Sequence, residues 1–265
     1  MAHHQSSPAQ PTTAQLQLLL TLYKFRFATT FLIAHSYGSR YPRVIYARLA
    51  ILAKHGYVGK RYSSKDRIDR KPAVYYLLPQ AVRYLRTLDT TTDQALRATY
   101  NDRTATESFV QRWLTVFEAY VALKDDYGDQ FDYYTRSELH GYDFLPQPRP
   151  DMLLRPTKPS KRHGSGYLLD YYDDTSQSFL QIQRLRNYIT WADKEAWQKA
   201  TDMDLPAILL VCQTTQRAKQ LRRTMRRLLE RTYADLTCMT TTLELLKQGG
   251  AVWQLLDEDA PLRRL

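Results

Sequence analysis

The chain has 265 residues, of which 43% are hydrophobic and 25% charged. These are ordinary globular proportions, and they exclude a wholly disordered chain, a collagen-like repeat and a polytopic membrane protein. The net charge is +11 and is unevenly spread: the first 105 residues carry 16 Lys/Arg against 5 Asp/Glu, while the remainder carries 22 of each. A strongly basic part attached to a balanced part implies a polyanion-binding module joined to something else.

In chain order, residues 1–12 are polar, contain Pro8 and Pro11, and read as a disordered lead without the apolar stretch of a signal peptide. Leu16, Leu19, Leu20 and Tyr23 then repeat at helical spacing over 14–23. A short second helix is expected over 29–37, capped by Thr29 or Thr30 and ended by Gly38. A third begins at Pro42, buries Ile45, Leu49 and Leu52 on one face, and stops at Gly56. Arg43, Arg48 and Lys54 lie mostly off that face. Strands are expected at 57–62 and 73–78, with the basic stretch SSKDRIDRKP as the tip of a hairpin between them. A helix from Pro79 to Leu88 follows. Residues 89–105 are turn-prone and read as a connector with a short helix over 93–100.

The second part changes character. Phe109, Trp113, Val116, Phe117, Tyr120 and Val121 make the apolar side of a helix over 107–124. Strands are expected at 131–139, 152–155, 167–172, 206–212, 234–239 and 251–256, with a loop over 156–166 and helices over 176–199 and 217–231. Strands alternating with long helices imply α/β layers. In the basic helix, Lys219, Arg222, Arg223, Arg226 and Arg227 lie three and four apart and read as one stripe. That stripe is either a solvated face or a second phosphate-tracking surface. The two cysteines, Cys212 and Cys238, offer no disulfide framework and no four-cysteine zinc site, so a reducing cytoplasm is expected. Cys212 reads as inert core, and His55, beside Gly56, as a helix C-terminal cation. His35, His55, His140 and His163 share no metal-ligand spacing, and phosphate-binding glycine loops and GxSxG elbows are absent.

The order helix, helix, helix, hairpin, helix, with the phrase RLAILAKHGYV…R…VYYLLPQA, resembles a winged helix-turn-helix over 13–88. The resemblance implies a helix in the major groove and a basic hairpin against phosphates or the minor groove. Candidate DNA-binding residues are Arg40, Arg43, Arg48, Lys60, Arg61, Lys65, Arg67, Arg70 and Lys71. A solvated basic surface on a small helical domain is the bland alternative.

Three features together resemble the replication-relaxation family of plasmid and mobile-element proteins: the winged helix, Pro150-Asp151 at the head of a strand a dozen residues after Glu138, and YLLDYYDDTSQSFLQIQRLRNYITW. The resemblance spans about 15–253. It implies an α+β protein in which 106–265 is similar to the restriction-endonuclease-like core of PD-(D/E)xK nucleases. In that core a helix precedes three strands, an Asp opens the second, and an acid-x-Lys pair lies in the third. Asp151 matches the first acid, Asp170 falls at the second, and Glu138 could add a third carboxylate. These would be the catalytic residues, with Asp151 and Asp170 holding Mg²⁺ or Mn²⁺. The lysine is replaced: the register gives Asp170-Tyr171-Tyr172, and the next cations are Arg184 and Arg186. Given the missing lysine, the aspartates read more readily as structural strand-end carboxylates, capping a turn or pairing with Arg149 or Arg155. A degenerate nuclease core is therefore expected, with no cofactor unless the site is active.

The resulting expectation is a cytoplasmic, duplex DNA-binding protein of a plasmid or mobile element, acting in replication, mobilisation or transcriptional control. It would be without membrane attachment and possible as a homodimer. An active nuclease or nickase, and a module that docks a replication or conjugation protein, are the alternatives.

Overall fold

A computed structural model describes residues 10–158, 163–174, 177–232, 234–257 and 261–265. Most of the expected lead, the middle of the 156–166 loop and the expected helix start at Ser176 fall outside these residues. The chain divides into two compact units, 1–114 and 115–265. The first unit thus takes in the stretch 89–105 that reads as a connector. The fold is mixed α+β.

In the first unit, α1 (Thr13–Phe25) starts with a capping box between Thr12 and Gln15. Strand β1 (Ala28–Thr29) leads into α2 (Thr30–Ser36), where the Thr29 hydroxyl accepts from the Leu32 amide at 3.2 Å. Helix α3 (Pro42–Lys54) carries Pro at its first position and buries Ile45, Leu49 and Leu52. Strands β2 (Val58–Arg61) and β3 (Val74–Leu77) pair antiparallel, and β1 joins the far side of β3, giving the order β1-β3-β2. Gly59 lets the Tyr76 ring lie against β2: a Cβ there would fall 2.3 Å from the ring and push it aside. The hairpin tip is not an open turn: it contains α4 (Ser64–Ile68), nucleated by a capping box between Ser63 and Asp66. After α5 (Pro79–Leu85), the stretch 89–105 forms α6 (Asp93–Ala98) and a 3₁₀ segment, Thr99–Thr104. That segment is fastened by Asp102, only 1% exposed, which accepts from the Arg26 guanidinium.

Burial pushes the Asp102 carboxyl up to about 6, although the Arg26 bonds and charge pull it down. A carboxyl raised on folding binds its proton more tightly when folded. Its stabilising contribution is complete below the unfolded value near 4 and is lost as pH rises through about 6. Between pH 4 and pH 7, Asp102→Asn should therefore gain stability relative to the parent by on the order of 2–3 kcal/mol. Urea titrations of both proteins across that range check this. A variant that loses ground as pH rises would show that Arg26 outweighs burial.

The boundary between the units falls within α7 (Glu107–Tyr127). The second unit is built on a six-stranded sheet, β4 (Phe131–Thr135), β5 (Met152–Pro156), β6 (Tyr167–Tyr172), β7 (Ala207–Cys212), β8 (Cys238–Thr242) and β9 (Gln254–Leu255), in that spatial order. The pairs β4–β5, β5–β6 and β8–β9 are antiparallel, and β6–β7 and β7–β8 are parallel. Both faces are covered, so β6 is buried at every position. One face packs Leu168, Tyr172, Ile208 and Leu210 against α8 (Ser178–Asp193), α9 (Ala196–Thr201) and α10 (Thr215–Leu229). The other packs Leu154, Leu169, Leu209 and Val211 against α7, α11 (Leu243–Gln248) and Trp253.

Several boundaries differ from expectation for local reasons. The strand expected over 131–139 ends at Thr135, because Glu138 folds back on it and opens a 3₁₀ turn, Glu138–Gly141. The helix expected over 176–199 breaks at Glu195, which is left-handed with φ 52°. The strand expected over 234–239 lies at Cys238–Thr242, where three β-branched threonines favour extension. The basic stripe of α10 is divided. Arg222 is buried and donates to the Thr240 hydroxyl at 2.8 Å, Arg226 donates to the Leu256 carbonyl, and Lys219, Arg223 and Arg227 stay on the exposed side. Among the described residues, no helix is long and apolar enough to cross a membrane.

Candidate functional site

The first unit presents a basic surface. Arg40, Arg43, Lys60, Lys65, Arg67, Arg70 and Lys71 are exposed, and Arg48 is half-buried. Their positions follow from the local fold. On α3, Ile45, Leu49 and Leu52 turn inward, which leaves Arg43 outward. On the hairpin, α4 has no buried residue at all, so its cations face water. Arg70 sits at the end of α4 in a left-handed conformation, φ 54°. The acids within this segment are already engaged: Asp66 accepts from the Ser63 amide and hydroxyl at 2.7 and 2.6 Å, and Asp69 lies 3.8 Å from Lys71. The Ser63 bonds hold the Asp66 carboxyl below its ordinary value.

Arg61 departs from the expected set. It donates to the carbonyls of Arg103 and Ala105 at 3.0 and 2.9 Å, and so ties β2 to the segment after α6. Those carbonyls occupy two of its guanidinium nitrogens. Lys60 leans over the Tyr62 ring at 4.9 Å, an exposed cation–π pair.

In the second unit, Asp151, just before β5, meets Asp170, toward the C-terminal end of the antiparallel neighbour β6. The Asp151 amide donates to Asp170 Oδ1 at 3.0 Å, and the Tyr171 amide donates to Asp151 Oδ2 at 2.9 Å. Both carboxylates are buried, at 2% and 1% exposure. Their charge is met by two arginines, neither of them the expected Arg149 or Arg155. Arg136, just past β4, stands 2.8 Å from Asp151 Oδ1 and 3.9 Å from Asp170 Oδ1. Arg184 of α8 grips Asp170 with two bonds, Nε to Oδ2 at 2.5 Å and Nη2 to Oδ1 at 2.8 Å. It also donates to the carbonyls of Pro148 and, at 2.7 Å, Arg149. The Tyr188 hydroxyl adds a bond to Asp170 Oδ2 at 2.8 Å. Burial by itself would lower the Arg184 guanidinium, but the charge and bonds of Asp170 raise it above its ordinary value.

Arg149 instead donates to the carbonyls of Leu139 and His140 at 2.6 and 2.8 Å, and Arg155 pairs with Asp132 at 3.3 Å. Glu138 accepts from the Thr135 amide and hydroxyl at 2.9 and 3.1 Å. Tyr172, at the register position of the lysine, points into the core, where burial holds its phenol far above the ordinary value and so neutral. Its hydroxyl has no hydrogen-bond partner among the described residues.

A hard divalent cation needs several oxygen ligands with free lone pairs directed at one point. Here the carboxylate oxygens of Asp151 and Asp170 are taken by backbone amides and guanidinium groups. Among the described residues, no three His, Cys, Asp or Glu side chains gather as a cation site. Mg²⁺ or Mn²⁺ therefore does not fit these residues as they stand. The arrangement balances two buried acids with two arginines and ties β4, β5, β6 and α8 together.

A basic, mostly helical unit and a mixed-sheet unit with helices on both faces define a two-unit α+β protein. The chain belongs to the replication-relaxation family, whose description matches residues 19–203. Membership points to a role in the replication or mobilisation of mobile elements. Comparison with curated proteins and with solved structures finds no match.

Proposed function

We propose that the first unit is a winged helix-turn-helix that binds duplex DNA of a mobile element, with α3 in the major groove and the α4 hairpin as the wing. The observation that carries this reading is the confinement of the whole +11 excess to the first 105 residues, displayed there on α3 and around α4. Phosphate-tracking cations of this kind supply affinity and orientation. The protein would act in replication, mobilisation or transcriptional control, as a homodimer or with replication or conjugation proteins as partners. Fluorescence anisotropy with the full chain and labelled duplex, titrated from 50 to 200 mM salt, tests it. Affinity should fall steeply, and a salt-insensitive or absent signal would refute the reading.

For the second unit, the order α7-β4-β5-β6-α8-β7 supports a nuclease-like core. An antiparallel meander with a parallel strand beside β6, an acid just before β5 and another within β6 beside it, fits that plan. We propose that this core does not cleave DNA, because arginines take the carboxylate oxygens a metal would use and Tyr172 cannot stabilise charge on a phosphate. Supercoiled plasmid incubated with the protein and Mg²⁺ or Mn²⁺ should stay supercoiled. Nicking that disappears in Asp151→Ala would restore the nuclease reading.

A further inference from the structure

The outward face of α3 is unusual in what it lacks. From Pro42 to Lys54 the helix reads PRVIYARLAILAK, with no Asn, Gln, Asp, Glu, Ser or Thr. Opposite the buried Ile45, Leu49 and Leu52 lie Val44, Ala47, Ala50 and Ile51, and Val44 and Ile51 are 46% and 47% exposed. Arg43 begins this face and Lys54 ends it, so an apolar strip is bracketed by cations on the most basic part of the chain.

Base edges in the major groove are read by a limited chemistry. Adenine is matched by an amide side chain, cytosine by a carboxylate, guanine by Arg or Lys, and thymine by apolar contact with its 5-methyl group. The strip on α3 holds only the last two kinds, with the Tyr46 phenol, 52% exposed, to one side of it. Two exposed β-branched side chains are a poor surface for water but a good one for methyl groups, and the flanking cations suit a polyanion.

We infer that α3 selects its DNA site through thymine 5-methyl groups packed on Val44 and Ile51, with Arg43 reading an adjacent guanine. This inference rests on the proposal that the first unit binds duplex DNA. It makes the preferred site thymine-rich in the major groove, with one guanine as its polar anchor.

The test begins with a site selected from random duplex by the full chain. Thymines in that site are then replaced by deoxyuridine, which keeps base pairing and removes only the methyl. Each buried methyl should cost about fourfold in affinity, from the transfer free energy of one methylene-sized group. Replacement outside the site should cost nothing. Ile51→Ala and Val44→Ala, both at exposed positions, should erase the preference for thymine over deoxyuridine while leaving the salt dependence unchanged. Equal, salt-sensitive binding to both duplexes, or a selected site without thymine, would overturn the inference and leave DNA binding standing. No binding to any duplex would overturn both.

Discussion

Replacing Arg184 with methionine should destabilise the second unit by about 3–5 kcal/mol, the usual result of breaking a buried ion pair from one side. Asp170 is only 1% exposed. Without Arg184 it keeps the Asp151 amide, the Tyr188 hydroxyl and an arginine, Arg136, 3.9 Å away that is already committed to Asp151 at 2.8 Å. Those groups do not neutralise a buried charge. The carbonyls of Pro148 and Arg149 lose a donor at the same time. Adding Asp170→Asn to the variant should recover much of the loss, because an amide keeps an acceptor for the Asp151 N–H and carries no charge. Arg184→Lys should fall between, since one ammonium cannot reproduce two parallel bonds to a carboxylate and two more to carbonyls. Chemical denaturation of the parent, Arg184→Met, Asp170→Asn alone and the double variant gives the coupling between the two positions directly. If Arg184→Met costs less than about 1 kcal/mol, and the variant also gains Mn²⁺ affinity, the arginine is a plug over a working metal site rather than a strut.

The role of Arg184 was partly written in the sequence. Gln181, Arg184, Leu185 and Tyr188 recur at helical spacing and all face the sheet, whereas Arg186 is exposed. A cation on the buried stripe of an amphipathic helix implies a buried anion opposite, and Asp170 was the nearby acid in a fully apolar strand. Arg136 carried no such signal, since it lies in a turn whose path depends on Glu138 folding back onto Thr135. The helices of the first unit were legible because periodicity and caps agree there: Thr29 and Pro42 mark starts, and Ile45, Leu49 and Leu52 mark a face, although the Thr12 cap of α1 was read as part of the lead. The helix inside the hairpin tip was not, because α4 is one short turn with no buried residue, set by the Ser63–Asp66 capping box alone. The division of the α10 stripe was equally hidden. Spacing places Arg222 and Arg226 together with Lys219, Arg223 and Arg227, and only the sheet beneath decides which cations turn inward.

The largest effect on binding is expected from the α4 hairpin. In a full chain carrying Lys65→Ala, Arg67→Ala, Arg70→Ala and Lys71→Ala, the slope of log affinity against log salt should fall by about 1 for each of these cations that meets a phosphate. At 50 mM salt that is a loss of on the order of tenfold to a thousandfold, shared by every duplex sequence. All four side chains are exposed, so the fold should survive their removal. Arg43→Ala should behave differently. It should cost on the order of 1–3 kcal/mol on the preferred site and relax specificity at one base pair, with little change in binding to unrelated duplex. The contrast follows from where the two groups sit. The hairpin cations Lys65, Arg67, Arg70 and Lys71 are exposed together on one short segment, with Ile68 the one aliphatic side chain among them, so they track charge far more than they read bases. Arg43 stands at the head of α3, next to the exposed Val44 and far from Lys54 at the other end, so it is the charged reader the helix offers at that end. Arg61→Ala should lower stability rather than affinity, because its guanidinium is spent on the carbonyls of Arg103 and Ala105. A selected sequence altered by the hairpin variant alone, or full affinity and specificity in Arg43→Ala, would reverse the assignment of helix and wing.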